Sequence, residues 1–265
     1  MLLQPSLRQF VSVLGLLILS ACPRVAPHPI VHGRELLGAE KETILISLSA
    51  KDDQLKTFRG IARVRRETKG TPAFRQALIF KKPHSLRLEA LPLDSAYTIY
   101  LIVGRERSLT LLDVQSKDAY QSNNERSLFG RITKLPFGMR EAMSLFTGQV
   151  PSTELNEGTV LFLDESSSSI YVKNRNDVSF YVVDKATLLL KMAEFRNQFD
   201  GKLVGTLKYS YKADNSLNDM EMKLDSAPEN NAVFKWTSYQ SNVDVNDSLF
   251  EISIPSEYST RSIGR

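Results

Sequence analysis

Phe58-Arg59-Gly60-Ile61-Ala62-Arg63-Val64, Phe74-Arg75-Gln76-Ala77-Leu78-Ile79-Phe80-Lys81 and Leu86-Arg87-Leu88-Glu89-Ala90-Leu91 follow one another within 34 residues and share one pattern. In each, every second residue belongs to one set: Phe58, Gly60, Ala62 and Val64; Phe74, Gln76, Leu78 and Phe80; Leu86, Leu88 and Ala90. The residues between them carry most of the charge. Period-two alternation places the two sets on opposite faces of a strand, one packed and one wet, as in antiparallel sheets. Working outward, strands are predicted at 97–103, 108–113, 159–164, 169–174, 178–184, 188–197, 203–212, 219–225, 232–240 and 249–254. Turn-rich stretches such as Asn174-Arg175-Asn176-Asp177 and Ala213-Asp214-Asn215-Ser216 separate them. About a dozen strands with short connections cannot stay flat, so the sheet must curl or split.

Two segments depart from this period. Leu36, Leu37, Ile44, Leu45 and Leu48 fit one face of a helix over 35–50, and Met139, Ala142, Met143 and Phe146 fit a second helix introduced by Leu135-Pro136 and stopped near Gly148. Such helices are natural plugs for a curled sheet. No fixed-period repeat and no second-domain boundary is visible.

The beginning of the chain has a different purpose. Arg8 is followed by a run of about ten residues from Phe10 to Leu19, too short for the roughly 20 that a spanning helix needs. Leu19-Ser20-Ala21-Cys22 resembles the box at which bacterial lipoproteins are acylated and cleaved, and Cys22 is the only cysteine. The expected organisation is a signal peptide at 1–21, a proline-bearing tether at 22–33 that starts with a lipid on Cys22, and one folded domain over 34–265. Two or three acyl chains anchor a protein stably where one does not. Pro23 stands where an Asp would favour inner-membrane retention in enteric-type systems, so the expected location is the periplasmic side of the outer membrane.

Without the first 21 of its 265 residues the chain has 33 Lys and Arg against 30 Asp and Glu, dispersed along the strands. That balance gives no basis for nucleic-acid binding. Of three histidines, His28 and His32 lie in the tether and His84 in a turn, so no metal site and no Ser-His hydrolase are expected. A nucleophile elbow and a phosphate-binding glycine loop are both lacking. The chain is read as a monomeric, cofactor-free, non-enzymatic protein.

Several segments together resemble a known family. A helix precedes Phe58–Val64; Lys82-Pro83-His84-Ser85-Leu86-Arg87-Leu88-Glu89 leads to the turn Leu91-Pro92-Leu93-Asp94; and Leu109–Asp113 precedes a Leu-Pro-led helix that ends at Gly148. Over roughly residues 35–151 this order resembles LolB, the outer-membrane lipoprotein receptor, and the superfamily it shares with the carrier LolA. Leu249–Ile252 with Pro255 is similar to that family's closing strand. The resemblance implies an open, incomplete antiparallel β-barrel of about 11–12 strands, with an N-terminal helix and inserted helices covering an apolar cavity. It implies acyl chains, delivered by a LolA-like carrier, as ligand. Phe58, Ala62, Val64, Phe74, Leu78, Phe80, Leu86 and Leu88 are then candidates to line the cavity, or simply to fill a core. Leu91 and Leu93 mark the family's membrane-insertion loop, although Asp94 replaces the usual glycine and an ordinary turn is the other reading. A structural or assembly lipoprotein that binds a protein or glycan through the same fold is the alternative function.

Overall fold

Side chains of alternating character do form strands here, and they join into a single sheet. The structure, a computed structural model, describes residues 33–95, 97–174 and 178–263. The strands are β1 (Arg34–Glu35), β2 (Thr57–Arg66), β3 (Phe74–Lys81), β4 (Ser85–Pro92), β5 (Tyr100–Arg105), β6 (Ser108–Asp113) and β7 (Asp118–Ser122), then β8 (Val160–Asp164), β9 (Ser169–Lys173), β10 (Ser179–Asp184), β11 (Leu190–Arg196), β12 (Leu203–Tyr211), β13 (Leu217–Leu224), β14 (Ala232–Ser241) and β15 (Ser259–Ser262). Their order across the sheet is β1-β8-β9-β10-β11-β12-β13-β14-β2-β3-β4-β5-β6-β7-β15. Two meanders, β2 to β7 and β8 to β14, are thus sewn together by the antiparallel β14–β2 pair. β1 and β15 are the two edges, so the barrel is open.

Among the described residues three α-helices accompany the sheet: α1 (Gly38–Gln54), α2 (Glu125–Thr133) and α3 (Met139–Leu145). α2 and α3 fill the concave side. Phe137, between them, packs on Phe195 of β11 at 5.2 Å between ring centroids, and Phe146, just after α3, packs on Phe234 of β14 at 6.3 Å. Close approach is possible because β5 carries a glycine there: a methyl group at Gly104 would sit 2.2 Å from Met139 Sδ. Leu78, Phe80, Leu86, Leu128, Phe129 and Met143 are essentially inaccessible within this core, each worth about 1.5–3 kcal/mol of burial.

α1 runs along the end of the barrel near the β3–β4 and β10–β11 turns, with Lys51 Nζ donating to Thr187 O (2.9 Å) and Lys41 Nζ to Glu157 O (3.3 Å). Its pin is the buried Asp52, ion-paired with Lys82 and accepting the Ser152 backbone N–H at 2.9 Å. Lys82 spends its remaining hydrogens on Asp52 O (3.0 Å) and Ser144 Oγ (3.1 Å), which ties α1, the β3–β4 turn and α3 together.

The structure corrects the predicted outline in several places. Among the described residues fifteen strands replace 11–12, because the short edge strands β1 and β15, and β7 beside β15, carry no clear alternation. The helix predicted at 35–50 begins only at Gly38, since Leu36 is extended and buried, its N–H bonded to Leu161 O at 2.8 Å. Residues 249–254 are no strand: Asp247–Phe250 is a 3-10 turn, with Asn246 accepting from the Ser248 N–H at 3.0 Å. Phe250 and Val245 cover Val103 on the convex face, alongside Ile79 and Leu101. Covering outward apolar side chains wins over edge pairing there. Among the described residues no helix is long and apolar enough to cross a membrane.

Candidate functional site

The inward rows of β2–β5 and β14 enclose an apolar cavity under α2 and the end of α3. Strand register defines its levels. Trp236 stands opposite Ala62, Ala62 opposite Gln76, Gln76 opposite Ala90 and Ala90 opposite Tyr100, giving one row across five strands. The next row inward contains Leu78, Leu88 and Ile102. Except for Ala90, these residues together with Ile132, Thr133, Phe146, Met222 and Phe234 surround about 140 Å³. That is close to the volume of an engineered cavity that binds benzene.

Toward the β2–β3 and β4–β5 connections the same face opens into a groove of about 620 Å³, lined by Phe74, Pro92, Leu93, Tyr97, Ile99 and Tyr100 among others. Tyr100 lines both spaces, so cavity and groove meet at its ring. Phe74 lies edge-on to it at 6.3 Å. The groove falls within the roughly 300–1,000 Å³ range of ligand pockets, while the inner cavity is below it. Leu93 (42% exposed) and Tyr97 (66%) project at the rim. Arg75 fastens this loop, donating to Pro92 O at 3.2 Å and Ser95 O at 2.6 Å.

The eight residues predicted as cavity lining separate into three groups. Ala62, Leu78 and Leu88 line the inner cavity, and Phe74 lines the groove. Phe58, Val64, Phe80 and Leu86 are buried core residues that line neither; Phe58 stacks on Phe80 at 5.4 Å and meets Trp236 edge-on at 5.3 Å. Leu91 is half-buried at the end of β4, paired with Arg75. Cys22, the signal peptide and the tether up to residue 32 lie outside the described residues.

Sequence reasoning missed Trp236, Gln76, Tyr100, Phe146, Met222 and Phe234. A signal did exist for Gln76, the one polar side chain on the inward set of β3. Its Oε1 accepts from the Tyr100 hydroxyl at 2.7 Å. Burial pushes that hydroxyl up to about 12, so it stays a donor across the physiological range.

A separate, more polar cleft of about 540 Å³ lies between the α2–α3 segment and β10–β11, lined by Arg126, Glu154, Ser179, Arg196 and the 88%-exposed Phe199. Glu154 accepts there from Ser179 Oγ at 2.7 Å.

No family model and no curated protein matches the chain. Solved structures do. A LolA superfamily protein from Nitrosomonas europaea aligns with a TM-score of 0.50 and 14% identity, over 78% of this chain and 97% of that one. A domain from Vibrio parahaemolyticus, named as a candidate outer membrane lipoprotein-sorting protein, aligns with a TM-score of 0.50 and 13% identity, over 80% and 97%. At such identities the likeness is one of architecture: the chain has the open-barrel fold of the LolA superfamily protein.

Proposed function

We propose that this is a lipid-anchored protein of the periplasmic side of the outer membrane that binds acyl chains without covalent chemistry, accepts lipoproteins from a LolA-like carrier and helps their insertion. The observation that carries the reading is the apolar cavity inside an open barrel, joined at Tyr100 to a groove whose rim exposes Leu93 and Tyr97. Burial of hydrocarbon is non-directional and needs an apolar, water-excluding space rather than a reactive group. The inner 140 Å³ receives only a short stretch of chain at once, so deeper uptake requires Phe146 and α2 to yield. Lipid on Cys22 supplies the anchor in this account. Leu93 enters the bilayer at the rim, opposed by Asp94, whose placement at bilayer depth costs about 2.5 kcal/mol or more.

The test is transfer. A form starting at Pro23 keeps every described strand and helix. It is mixed with a lipoprotein-loaded LolA carrier, and lipoprotein is expected to move onto it. No transfer to the folded domain overturns the receptor reading. The exposed Phe199 beside the polar cleft favours a second reading, an envelope lipoprotein that holds a protein or glycan partner. Under that reading Phe199→Ser abolishes partner binding and cavity variants leave it unchanged.

A further inference from the structure

No charged side chain lines the inner cavity, yet three hydrogen-bonding residues, Trp236, Gln76 and Tyr100, share one row of it. Their bonding is unbalanced toward donors. The Tyr100 hydroxyl donates to Gln76 Oε1, and Gln76 Nε2 donates to Ala77 O at 3.1 Å. A side-chain amide has two N–H groups, and the second has no acceptor among the described residues. Trp236 is 6% exposed, and its buried Nε1 has no partner among the described residues.

The indole is oriented by its neighbours. A methyl group at Gly60 would lie 2.9 Å from Trp236 Cζ3, so the benzo edge rests against the glycine. Cζ3 is para to the ring carbon bonded to Nε1, which directs the N–H edge away from Gly60. A register shift between Trp236 and Ser238 adds a residue beside the indole, the kind of bulge that re-aims a side chain. A buried donor without an acceptor is costly to keep, and an apolar cavity has no intrinsic need of one.

We propose that Trp236, with Gln76 and Tyr100 beside it, selects acyl chains that enter with a neutral carbonyl, ester or amide, over free fatty acids. The inference rests on the acyl-binding reading above. Trp236 Nε1 has essentially no accessible surface, so Phe146 and α2 must yield before a neutral carbonyl oxygen accepts the surplus N–H groups while its chain lies along Leu78, Leu88 and Ile102. A carboxylate would accept them equally well, but it would be desolvated with no cation lining the inner cavity; Arg66 lies outside it, in the groove beyond Tyr100, so the penalty is one that hydrogen bonds alone do not offset. Neutrality is therefore the discriminating feature.

The experiment compares methyl decanoate, 1-methoxydecane and decanoate at pH 8 by calorimetry, on the form from Pro23 and on Trp236→Phe. Trp236 is the sole tryptophan, so its emission independently reports ester binding in the wild type. The expected result is a preference for the ester of about tenfold over the ether, and at least as much over decanoate. In Trp236→Phe, with unchanged far-UV circular dichroism, the ester-to-ether ratio falls toward about one. A wild type that binds ester and ether alike, or decanoate more tightly, overturns the inference but leaves acyl binding intact. A preference that survives Trp236→Phe overturns the role of the indole. Binding of none of the three probes overturns the acyl reading itself.

Discussion

Filling the cavity should separate its role in binding from any role in folding. Ala62 is fully buried between Trp236 and Gln76 and lines the 140 Å³ space. Ala62→Leu adds three carbons. At about 0.8 kcal/mol for each buried methylene-sized group, the added burial contributes about 2.4 kcal/mol. Overpacking of a filled core costs about 1–3 kcal/mol. The two nearly cancel where space already exists, so stability should stay within about 1 kcal/mol of wild type by urea unfolding. Binding of a fluorescent acyl probe should fall at least tenfold, because the leucine occupies the volume that the chain needs. Wild-type acyl binding by a folded Ala62→Leu variant would refute the assignment of the cavity. A loss of stability beyond about 3 kcal/mol would refute the premise that the space is available.

Other consequences concern the pin, the rim and a turn. Breaking the buried Asp52–Lys82 pair with Asp52→Ala should lower unfolding stability by about 3–5 kcal/mol, since Lys82 is left buried without its counter-charge; Asp52→Ala with Lys82→Met should recover much of that in the same titration. Leu93→Glu should leave thermal stability unchanged, given its exposure, and reduce release of lipoprotein into liposomes, as measured by co-flotation. At the β10–β11 turn, Asp184 is pulled down to about 2, chiefly by the Thr187 backbone N–H, with Lys191 helping. A carboxylate with a depressed folded value stabilises above its unfolded value of about 3.9 and loses that contribution as pH falls toward about 2. Melting temperature should therefore drop between pH 4 and pH 2, and Asp184→Asn should be less stable at pH 7 with a shallower acid decline.

The parts of the fold that were legible are those whose side chains alternate because a core lies on one side only. β2, β3 and β4 satisfy that condition along their whole length. α3 was equally plain, because Met139, Ala142 and Met143 all turn into the core. Hidden elements had other causes. β15 is exposed at every residue and is held by backbone pairing to β7 with Arg261 beside Asp118, which leaves no hydrophobic period to read. α2 is only nine residues long; its clue was Asn124, whose side chain accepts the Ser127 N–H at 3.1 Å ahead of Leu128, Phe129 and Ile132. The tail from Val245 to Ile252 is as apolar as a strand but spends its side chains on the convex face.

The site was legible only in part for a related reason. Period two distinguishes inward from outward and says nothing about depth along the barrel. Phe58, Phe80 and Leu86 have the same pattern as Leu78 and Leu88, yet they lie deeper, where Met139 and the stacked rings leave no space. Trp236 becomes a neighbour of Gln76 only through the β14–β2–β3 register, across more than 150 residues of chain.

Where an acyl chain lies is the most direct test of the central claim. The domain from Pro23 would be loaded with a lipoprotein whose acyl chains carry a diazirine, irradiated, digested and mapped by mass spectrometry. Cross-links concentrated on Leu78, Leu88, Ile102, Met222 and Phe146, and competed away in Ala62→Leu, are the predicted result. Cross-links on the convex face, or in the cleft beside Phe199, would contradict it.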